Sequence, residues 1–480
     1  MSERAAALHN DEPCLLDALE RGPLIEEVGE AIAHCTPPQV FGVHGDWGLG
    51  KTSFLHQVQW YLTGDCPQQP EPVTRDLARR AKEAEEDAPT QRSGVYRDVV
   101  QAVWFDAWRY QNEAAPVVAL LHEMRAQLAW GRRVVRLTNR NTKVAVRGAL
   151  LSMEELTKKI GFQYSKFRQA NQEWEAENLS SSLPSHTLRE HLHAAVAQLL
   201  PRSRVGEVSP KLVVFIDDVD RCEPEAAYRL LEGLKIYLTL DNCVFVLGMN
   251  QKAIEDAIAQ RMKSASGADP TMRAAAYMEK LCQNVWRLPA VRRPEEVLCQ
   301  LLKDTVDSDY VQSFIKEGLE IPVPEGIAGA SRYQCLPPNP RRLKGFANLI
   351  GRLAPRLPSQ EDRLSDASME QEARLFLIVA YIYQFHHDLH IRWEAESGFY
   401  SRIHDWCLGA GTTLPFDSSL ELPLTSSDAD STESGPSREM GTKYPDPTQT
   451  GVFWIQPLIL HLGSEIAPQR FERYLHGEPG

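Results

Sequence analysis

The sequence lacks the features of secreted, membrane and zinc-binding proteins. Its nine cysteines are scattered, and no two of them form a CxxC pair, which indicates reduced thiols and disfavours a zinc site. The longest strongly apolar run, residues 375–383, has about half of the ~20 residues that a membrane-spanning helix needs. Residues 1–30 are polar and acidic, so we expect no signal peptide. These absences predict a cytoplasmic protein without a membrane span.

An excess of basic residues is also missing. The chain has 52 Lys and Arg against 65 Asp and Glu, a net charge of −13, so attraction of the whole molecule to nucleic acid or anionic lipid is not indicated. Its hydrophobic content of 43% and charged content of 24% are typical of a globular protein. The length of 480 residues allows about two to three domains.

One segment reverses this charge balance. Residues 131–170 carry ten Lys and Arg but only two Glu. The pattern fits a solvated helical face, and it also fits a surface that contacts a phosphate backbone or an acidic partner. The sequence therefore leaves nucleic acid as a possible partner through this segment alone.

A glycine-rich loop organises the chain. An apolar run at residues 39–44 predicts a strand, and residues 52–62 predict an amphipathic helix. Between them Gly45, Gly50, Lys51 and Thr52 fit the pattern GxxxxGK[ST], in which backbone N–H groups cradle phosphates, Lys reaches the terminal phosphates and the hydroxyl ligates Mg²⁺. We expect nucleotide contacts from the whole loop: Gly45, Asp46, Trp47, Gly48, Leu49, Gly50, Lys51, Thr52 and Ser53.

A second apolar run ends in carboxylates. Residues 211–216 predict a buried parallel strand that delivers Asp217 and Asp218 to its carboxyl edge. Oxygen ligands suit Mg²⁺, so we predict Asp217, with Thr52, at the metal and Asp218 as the group that polarises the attacking water. The same residues also suit a turn that caps the next helix. For Arg221 the sequence leaves open a salt bridge within the aspartates or a role on phosphate.

Three further polar residues are candidates for sensing the γ-phosphate. Asn250 follows another buried strand, at residues 243–249, although Asn is also a good N-cap for a helix starting at residue 251. Arg341 and Arg342 fall in the first turn of a helix that begins at Pro340, where the helix dipole disfavours cations unless an anion lies nearby.

Together these motifs resemble the KAP family of P-loop NTPases. The resemblance covers roughly residues 10–350, and in chain order it rests on Gly45-Asp-Trp-Gly-Leu-Gly-Lys-Thr-Ser53, Trp104-Phe-Asp-Ala-Trp-Arg-Tyr110, Phe215-Ile-Asp-Asp-Val-Asp-Arg-Cys222, Tyr277-Met-Glu-Lys280, Arg287-Leu-Pro289 and Asn339-Pro-Arg-Arg-Leu-Lys344. Many members have paired transmembrane helices between the two Walker motifs. Here that position, about residues 130–185, is basic and polar instead.

The resemblance implies an α/β fold with a five-stranded parallel sheet in the order 5-1-4-3-2 and then a helical lid. The residue pattern itself predicts a mostly α-helical C-terminal region after the lid. We predict a lead-in helix within residues 1–36, a P-loop core at 37–290 with insertions at 64–96 and 130–185, a lid at 291–356, and a C-terminal region at 357–480 with a disordered acidic loop at 414–450.

The implied function is that of an ATPase with ATP and Mg²⁺ as cofactors, acting as a regulatory switch or motor. Lys51, Asp218, Asn250, Arg341 and Arg342 would form the catalytic set. Bacterial relatives include proteins of phage-exclusion and mobile-element defence loci, and partners would be a homo-oligomer or proteins of the same system. The alternative is a nucleotide-gated scaffold with negligible turnover that binds ATP to assemble an oligomer or a partner complex.

Overall fold

The structure is a computed structural model. It describes residues 9–65, 92–112, 208–237, 242–262, 269–282, 284–305, 309–319, 336–357 and 366–385, and it also describes the positions 119–120, 123–124, 127, 200, 390–391 and 474. The basic segment 131–170 and the acidic loop 414–450 lie outside the described residues, so the expectations for them stay predictions.

The described chain alternates strands and helices. The first compact unit, Pro13–Pro289, contains α1 (Gly22–His34), β1 (Gln39–His44), α2 (Lys51–Thr63), β2 (Val100–Asp106), β3 (Lys211–Asp217), α3 (Pro224–Tyr237), β4 (Cys243–Met249), α4 (Gln251–Met262), α5 (Pro270–Leu281) and β5 (Asn284–Arg287). The second unit, Met1–Glu12 with Ala290–Gly480, contains α6 (Pro294–Thr305), α7 (Asp309–Leu319), α8 (Pro340–Leu353) and α9 (Asp366–Phe385).

The five strands form one parallel sheet. Their order is β2-β3-β4-β1-β5, which is the predicted order 5-1-4-3-2 read from the other edge, and each of the four neighbouring pairs is parallel. The predicted fold class is therefore confirmed. β1, which leads into the glycine-rich loop, lies between β4 and β5, and β3 lies between β2 and β4.

The interior strand β3 shows why the sheet has helices on both faces. All seven of its residues are buried, as expected for a parallel strand covered on two sides. Leu212, Val214 and Ile216 pack in a core that includes residues of α3, α4 and α5. Val213 and Phe215 pack in a second core that includes residues of α1 and α2, because successive strand side chains point to opposite faces.

Helix α2 differs from the amphipathic helix that the sequence predicts. Ten of its thirteen residues are buried, including the polar residues Lys51, His56, Gln57, Gln59 and Thr63. The physical reason is that the helix is covered by other segments besides the sheet. The Gln57 amide donates to the carbonyls of Cys14 and Leu16 at 3.2 and 3.1 Å. Polar residues that hydrogen-bond in this way permit burial of a face that the sequence pattern alone marks as exposed.

A glutamine side chain satisfies part of the outer edge of β2. The Trp104 N–H donates to Oε1 of Gln127 at 2.8 Å, and Nε2 of Gln127 donates to the Trp104 carbonyl at 2.6 Å. The amide of Gln127 therefore pairs with the backbone of Trp104 as a peptide group of a neighbouring strand would.

In the second unit, a short N-terminal segment contacts α8. The His9 N–H donates to Oδ1 of Asn348 at 2.8 Å, and Nδ2 of Asn348 donates to the His9 carbonyl at 2.9 Å. Nη2 of Arg341 lies 2.7 Å from Oδ2 of Asp11, and Nε of Arg341 donates to Oδ1 of Asp11 at 2.9 Å. Two charge-assisted bonds thus fix Arg341 on this segment.

Candidate functional site

The motif residues of the first unit converge on one edge of the sheet. His44 and Met249 are paired at the ends of β1 and β4, and Asp106 and Asp217 are paired at the ends of β2 and β3. Since the strands are parallel, these ends share the carboxyl edge, where α/β proteins bind their ligands. The N-terminus of α2 lies at the same edge because α2 directly follows the loop after β1.

The glycine-rich loop has the backbone conformations that glycine permits. Gly48 and Gly50 have φ angles of +83° and +81°, in the left-handed region where a Cβ atom is unfavourable. The loop is closed by a bond from the Leu49 N–H to the Asp46 carbonyl at 3.2 Å, and α2 starts with a bond from the Phe54 N–H to the Gly50 carbonyl at 3.0 Å. This loop leads into the positive end of α2, which is an anion-binding arrangement.

The side chain of Arg21 hydrogen-bonds to the backbone of the glycine-rich loop. Its Nη1 donates to the Leu49 carbonyl and its Nη2 donates to the Pro289 carbonyl, both at 2.8 Å. The side chain is buried, and burial lowers the pKa of Arg21 to about 10, although the Asp17 carboxylate opposes this shift. Arg21 therefore connects the phosphate loop to the chain after β5.

Lys51, the lysine of the motif, is buried at the centre of the site. Its Nζ donates to the Gly45 carbonyl at 2.9 Å and lies 3.4 Å from Oδ2 of Asp220. The ammonium group thus folds back along the loop, and a carboxylate neutralises it where the terminal phosphates are expected.

Trp47 also contacts Asp220. Its indole Nε1 donates to Oδ2 of Asp220 at 2.8 Å, while the residue as a whole is 60% exposed. The Asp220 side chain is only 1% exposed, and its Oδ1 is buried with no hydrogen-bond partner among the described residues. One carboxylate therefore connects the loop tryptophan with the loop lysine.

Asp217 and Thr52 lie together, as the predicted metal pair requires. The Thr52 side chain forms a hydrogen bond with Asp217, and Oδ1 of Asp217 is buried without a hydrogen-bond partner in the described part of the chain. Burial raises the pKa of Asp217, and the neighbouring Asp218 carboxylate raises it further. A buried carboxylate with an unsatisfied oxygen beside a threonine hydroxyl fits an oxygen-ligated cation such as Mg²⁺.

The side chain of Asp218 forms a salt bridge with Arg221. Its Oδ1 lies 2.9 Å from Nε of Arg221, and its φ of 57° places it in the left-handed region, which Asp tolerates better than most residues. Burial raises the pKa of Asp218, and Arg221 is the main opposing influence. Of the two roles left open for Arg221, the structure shows the salt bridge.

Asn250 makes both a cap and a loop contact. Its Oδ1 accepts a hydrogen bond from the Ala253 N–H at 3.3 Å, so it caps α4 as the sequence allowed. Its Nδ2 donates to Oδ1 of Asp46 at 3.2 Å, which joins the end of β4 to the phosphate loop. The sensor role of Asn250 stays a prediction.

The remaining predicted residues make other contacts. Oγ of Ser53 accepts a hydrogen bond from the Cys14 N–H at 3.0 Å, so this side chain is directed at the N-terminal segment. Arg341 and Arg342 belong to the second unit, where Oδ1 of Asn339 caps α8 by accepting from both of their N–H groups. Their proposed action on a nucleotide, like the nucleotide contact of Ser53, stays a prediction.

Sequence reasoning assigned no role to three residues of this site. Asp220 and Arg21 contact the phosphate loop directly, and Asp106 lies beside Asp217 in the sheet register and helps to raise the pKa of Asp218. The sequence signals for two of them were the second aspartate after β3, Asp220, and the aspartate that ends β2, Asp106. Arg21 gave no local signal, because its partners are backbone carbonyls far away in the chain.

Comparisons with known proteins identify the family. The model of the KAP family P-loop domain matches residues 21–354. A solved structure, the Walker-type ATPase paby2304 of Pyrococcus abyssi, is similar over 85% of this chain and 89% of that chain, at 13% sequence identity and a TM-score of 0.32. No curated protein has significant sequence similarity to the chain. With the strand order and the loop geometry described above, the match over residues 21–354 shows that this chain belongs to the KAP family of P-loop NTPases.

Proposed function

We propose that the protein binds Mg·ATP at the carboxyl edge of its sheet and hydrolyses it to ADP and phosphate. The observation that carries this proposal is the juxtaposition of Lys51, the Thr52–Asp217 pair and Asp218 at the end of one glycine-rich loop. These are the phosphate-binding, metal-binding and water-orienting groups that phosphoryl transfer requires.

Thr52 and Asp217 would hold Mg²⁺. When bound, the ion neutralises charge on the β- and γ-phosphates. The protein supplies the rest: Lys51 exchanges Asp220 for the terminal phosphates, and the loop N–H groups and the N-terminus of α2 stabilise negative charge.

Asp218 would orient the attacking water and accept its proton. The water oxygen forms a bond to the γ-phosphorus while the bond from that phosphorus to the β–γ bridging oxygen breaks, so the products are ADP and phosphate. For this role Asp218 must be deprotonated, and the Arg221 cation at 2.9 Å stabilises that state.

Arg341, Arg342 and Asn250 are proposed as sensors of the γ-phosphate. Arg341 is paired with Asp11, so contact with a phosphate would require Arg341 to exchange one anion for another. Asn250 is bonded to Asp46 of the loop, so a change in loop conformation would reach α4 through the residue that caps it. Such coupling suits a regulatory switch or motor, and we propose, from the family resemblance alone, that it acts in a bacterial phage-defence or mobile-element system.

The alternative is a nucleotide-gated scaffold with negligible turnover. It is favoured by one observation: Lys51 and Asp218 are both paired with protein charges, Asp220 and Arg221. Both functions predict nucleotide binding, but only the first predicts hydrolysis that depends on Asp218.

Phosphate release from ATP by the purified chain, with and without Mg²⁺, tests the proposal. Asp218→Asn should retain nucleotide affinity and lower turnover by a factor of about 10² or more, since a positioned general base contributes about that much. Wild-type binding of ATP with no phosphate release above that of Asp218→Asn would support the scaffold instead. Loss of both binding and turnover in Asp218→Asn would assign Asp218 to the metal.

A further inference from the structure

A cavity beside the phosphate loop has no role in the proposed function. Its volume is about 190 Å³, and its lining includes Trp47 of the loop, Asp220 of the turn after β3, Ala227 of α3, and Ile254, Asp256 and Ala257 of α4. All of these residues belong to the first unit. The cavity therefore touches the nucleotide site at Trp47 and Asp220.

The size of the cavity limits its occupant. Sites for cofactors and drug-sized ligands have volumes of roughly 300–1,000 Å³, so this cavity is too small for a second nucleotide. It has room for a single long side chain.

The chemistry of the walls limits the occupant further. The lining is mostly apolar, its two charged residues are Asp220 and Asp256, and none of the lining residues is basic. Oδ1 of Asp220 is buried and lacks a hydrogen-bond partner among the described residues, and a buried acceptor without a donor is unfavourable. The complementary ligand has an apolar stem and a cationic head with several donors.

We propose that this cavity is a docking site for an arginine side chain of a partner protein. Arginine fits better than lysine because its planar guanidinium is weakly hydrated, presents five N–H donors and stacks on aromatic rings. Trp47 supplies an exposed aromatic ring, Asp220 supplies the unsatisfied oxygen, and the apolar walls cover the methylene stem.

Docking is coupled to the nucleotide through Lys51, a step that rests on the proposed function. The Lys51 ammonium lies 3.4 Å from Oδ2 of Asp220 and neutralises it. When terminal phosphates attract Lys51, Asp220 loses this cation, and a guanidinium in the cavity replaces it. ATP and the partner arginine thus strengthen each other's binding by the same factor.

The test uses n-butylguanidinium as the probe and uncharged n-butylurea as its matched control. The signal is the indole N–H resonance of Trp47, assigned by its loss in Trp47→Phe. We expect n-butylguanidinium to bind at least about five-fold more tightly with Mg²⁺ and a non-hydrolysable ATP analogue than without nucleotide, the lower range of allosteric couplings. Lys51→Ala should show the same gain without nucleotide, because it removes the competing cation directly.

Two variants and one control variant check the place of binding. Ala257→Trp fills the cavity and should abolish the response, Asp256→Asn should weaken it with little risk to folding, and Lys252→Ala on the same helix should leave it unchanged. If n-butylurea binds as tightly as n-butylguanidinium, the site recognises only the apolar stem. If the Trp47 resonance changes with protein concentration alone, a second copy of the chain occupies the cavity. Either result overturns the assignment.

The same titrations separate this proposal from the proposed function. If the nucleotide analogue fails to bind while Lys51→Ala still gains affinity for the probe, the docking site stands and nucleotide binding fails. If the analogue binds but the probe never does, the docking site is wrong and the proposed function stands. Equal probe affinity in wild type and Lys51→Ala overturns the coupling.

Discussion

The Arg221 guanidinium lies 2.9 Å from Oδ1 of Asp218, so a cation holds the carboxylate that we propose as the base. This carboxylate directly follows Asp217 of the proposed metal pair in sequence. Arg221 is three residues after Asp218 and reaches it across the short turn at Val219–Arg221. The pair links the ionisation of the base to the shape of that turn.

Arg221→Ala should shift the pH dependence of turnover. Arg221 lowers the pKa of Asp218, so its removal raises that pKa, and the acidic limb of the kcat profile should move to higher pH. Arg229→Ala, which removes an exposed arginine of α3, is the matched control. An unchanged profile in Arg221→Ala would show that Asp218 is not the group whose ionisation limits turnover.

Lys51→Ala should abolish detectable nucleotide binding, because it removes the cation expected at the terminal phosphates. Calorimetric titration with Mg·ATP measures this, with Lys252→Ala on α4 as a control for the loss of one positive charge. Unchanged affinity in Lys51→Ala would refute the site assignment.

Removal of Mg²⁺ should weaken ATP binding to the wild type more than to Asp217→Asn. We assign Mg²⁺ to Asp217 and Thr52. A variant without the Asp217 carboxylate should therefore gain little ATP affinity from Mg²⁺, and it has little to lose when the ion is removed. Titrations in Mg²⁺ and in chelator compare the two. Equal Mg²⁺ dependence in both proteins would place the ion elsewhere.

Arg21→Lys should lower both ATP affinity and stability. Lysine cannot donate to the Leu49 and Pro289 carbonyls at once, and loss of such a charged hydrogen bond costs about 1.5–3 kcal/mol. Chemical denaturation and nucleotide titration give the two effects, with Arg229→Lys as the control. A stable variant with normal affinity would show that the loop keeps its shape without Arg21.

His56→Leu should remove a pH-dependent loss of stability. His56 is fully buried, neither ring nitrogen has a partner among the described residues, and burial lowers its pKa to about 3. In the unfolded chain His56 gains a proton below a pH of about 6.5, while in the folded chain it stays neutral. The folded state is therefore not penalised above pH 6.5, and its free energy of unfolding falls as the pH decreases from 6.5 toward 3.

The expected loss for His56 is about 1.4 kcal/mol per pH unit below 6.5, or about 2 kcal/mol at pH 5. Denaturation of wild type and His56→Leu at pH 7 and pH 5 measures it. Gln59→Leu replaces another buried polar residue of α2 that does not titrate, so its effect should be equal at the two pH values. A constant difference between His56→Leu and wild type would mean that folding does not lower the pKa of His56.

Much of this architecture could be predicted because parallel strands and phosphate loops leave strong local patterns. The continuous apolar runs that end at His44, Asp217 and Met249 predict buried strands with polar residues at one edge, and the structure has strands that end at those residues. The contacts of Asp220 with Trp47 and Lys51 could not be predicted, because they connect residues more than 160 positions apart through side-chain geometry. The burial of α2 escaped prediction for a similar reason: its extra cover comes from segments distant in sequence.

The pairing of Gln127 with Trp104 limits how this protein can assemble. An outer strand presents backbone donors and acceptors that another chain can extend by strand addition. At Trp104 both groups are already bonded to one side-chain amide, so an intermolecular sheet built on β2 would have to displace Gln127 first. Growth of the sheet through this position of β2 therefore costs the loss of both bonds between Gln127 and Trp104.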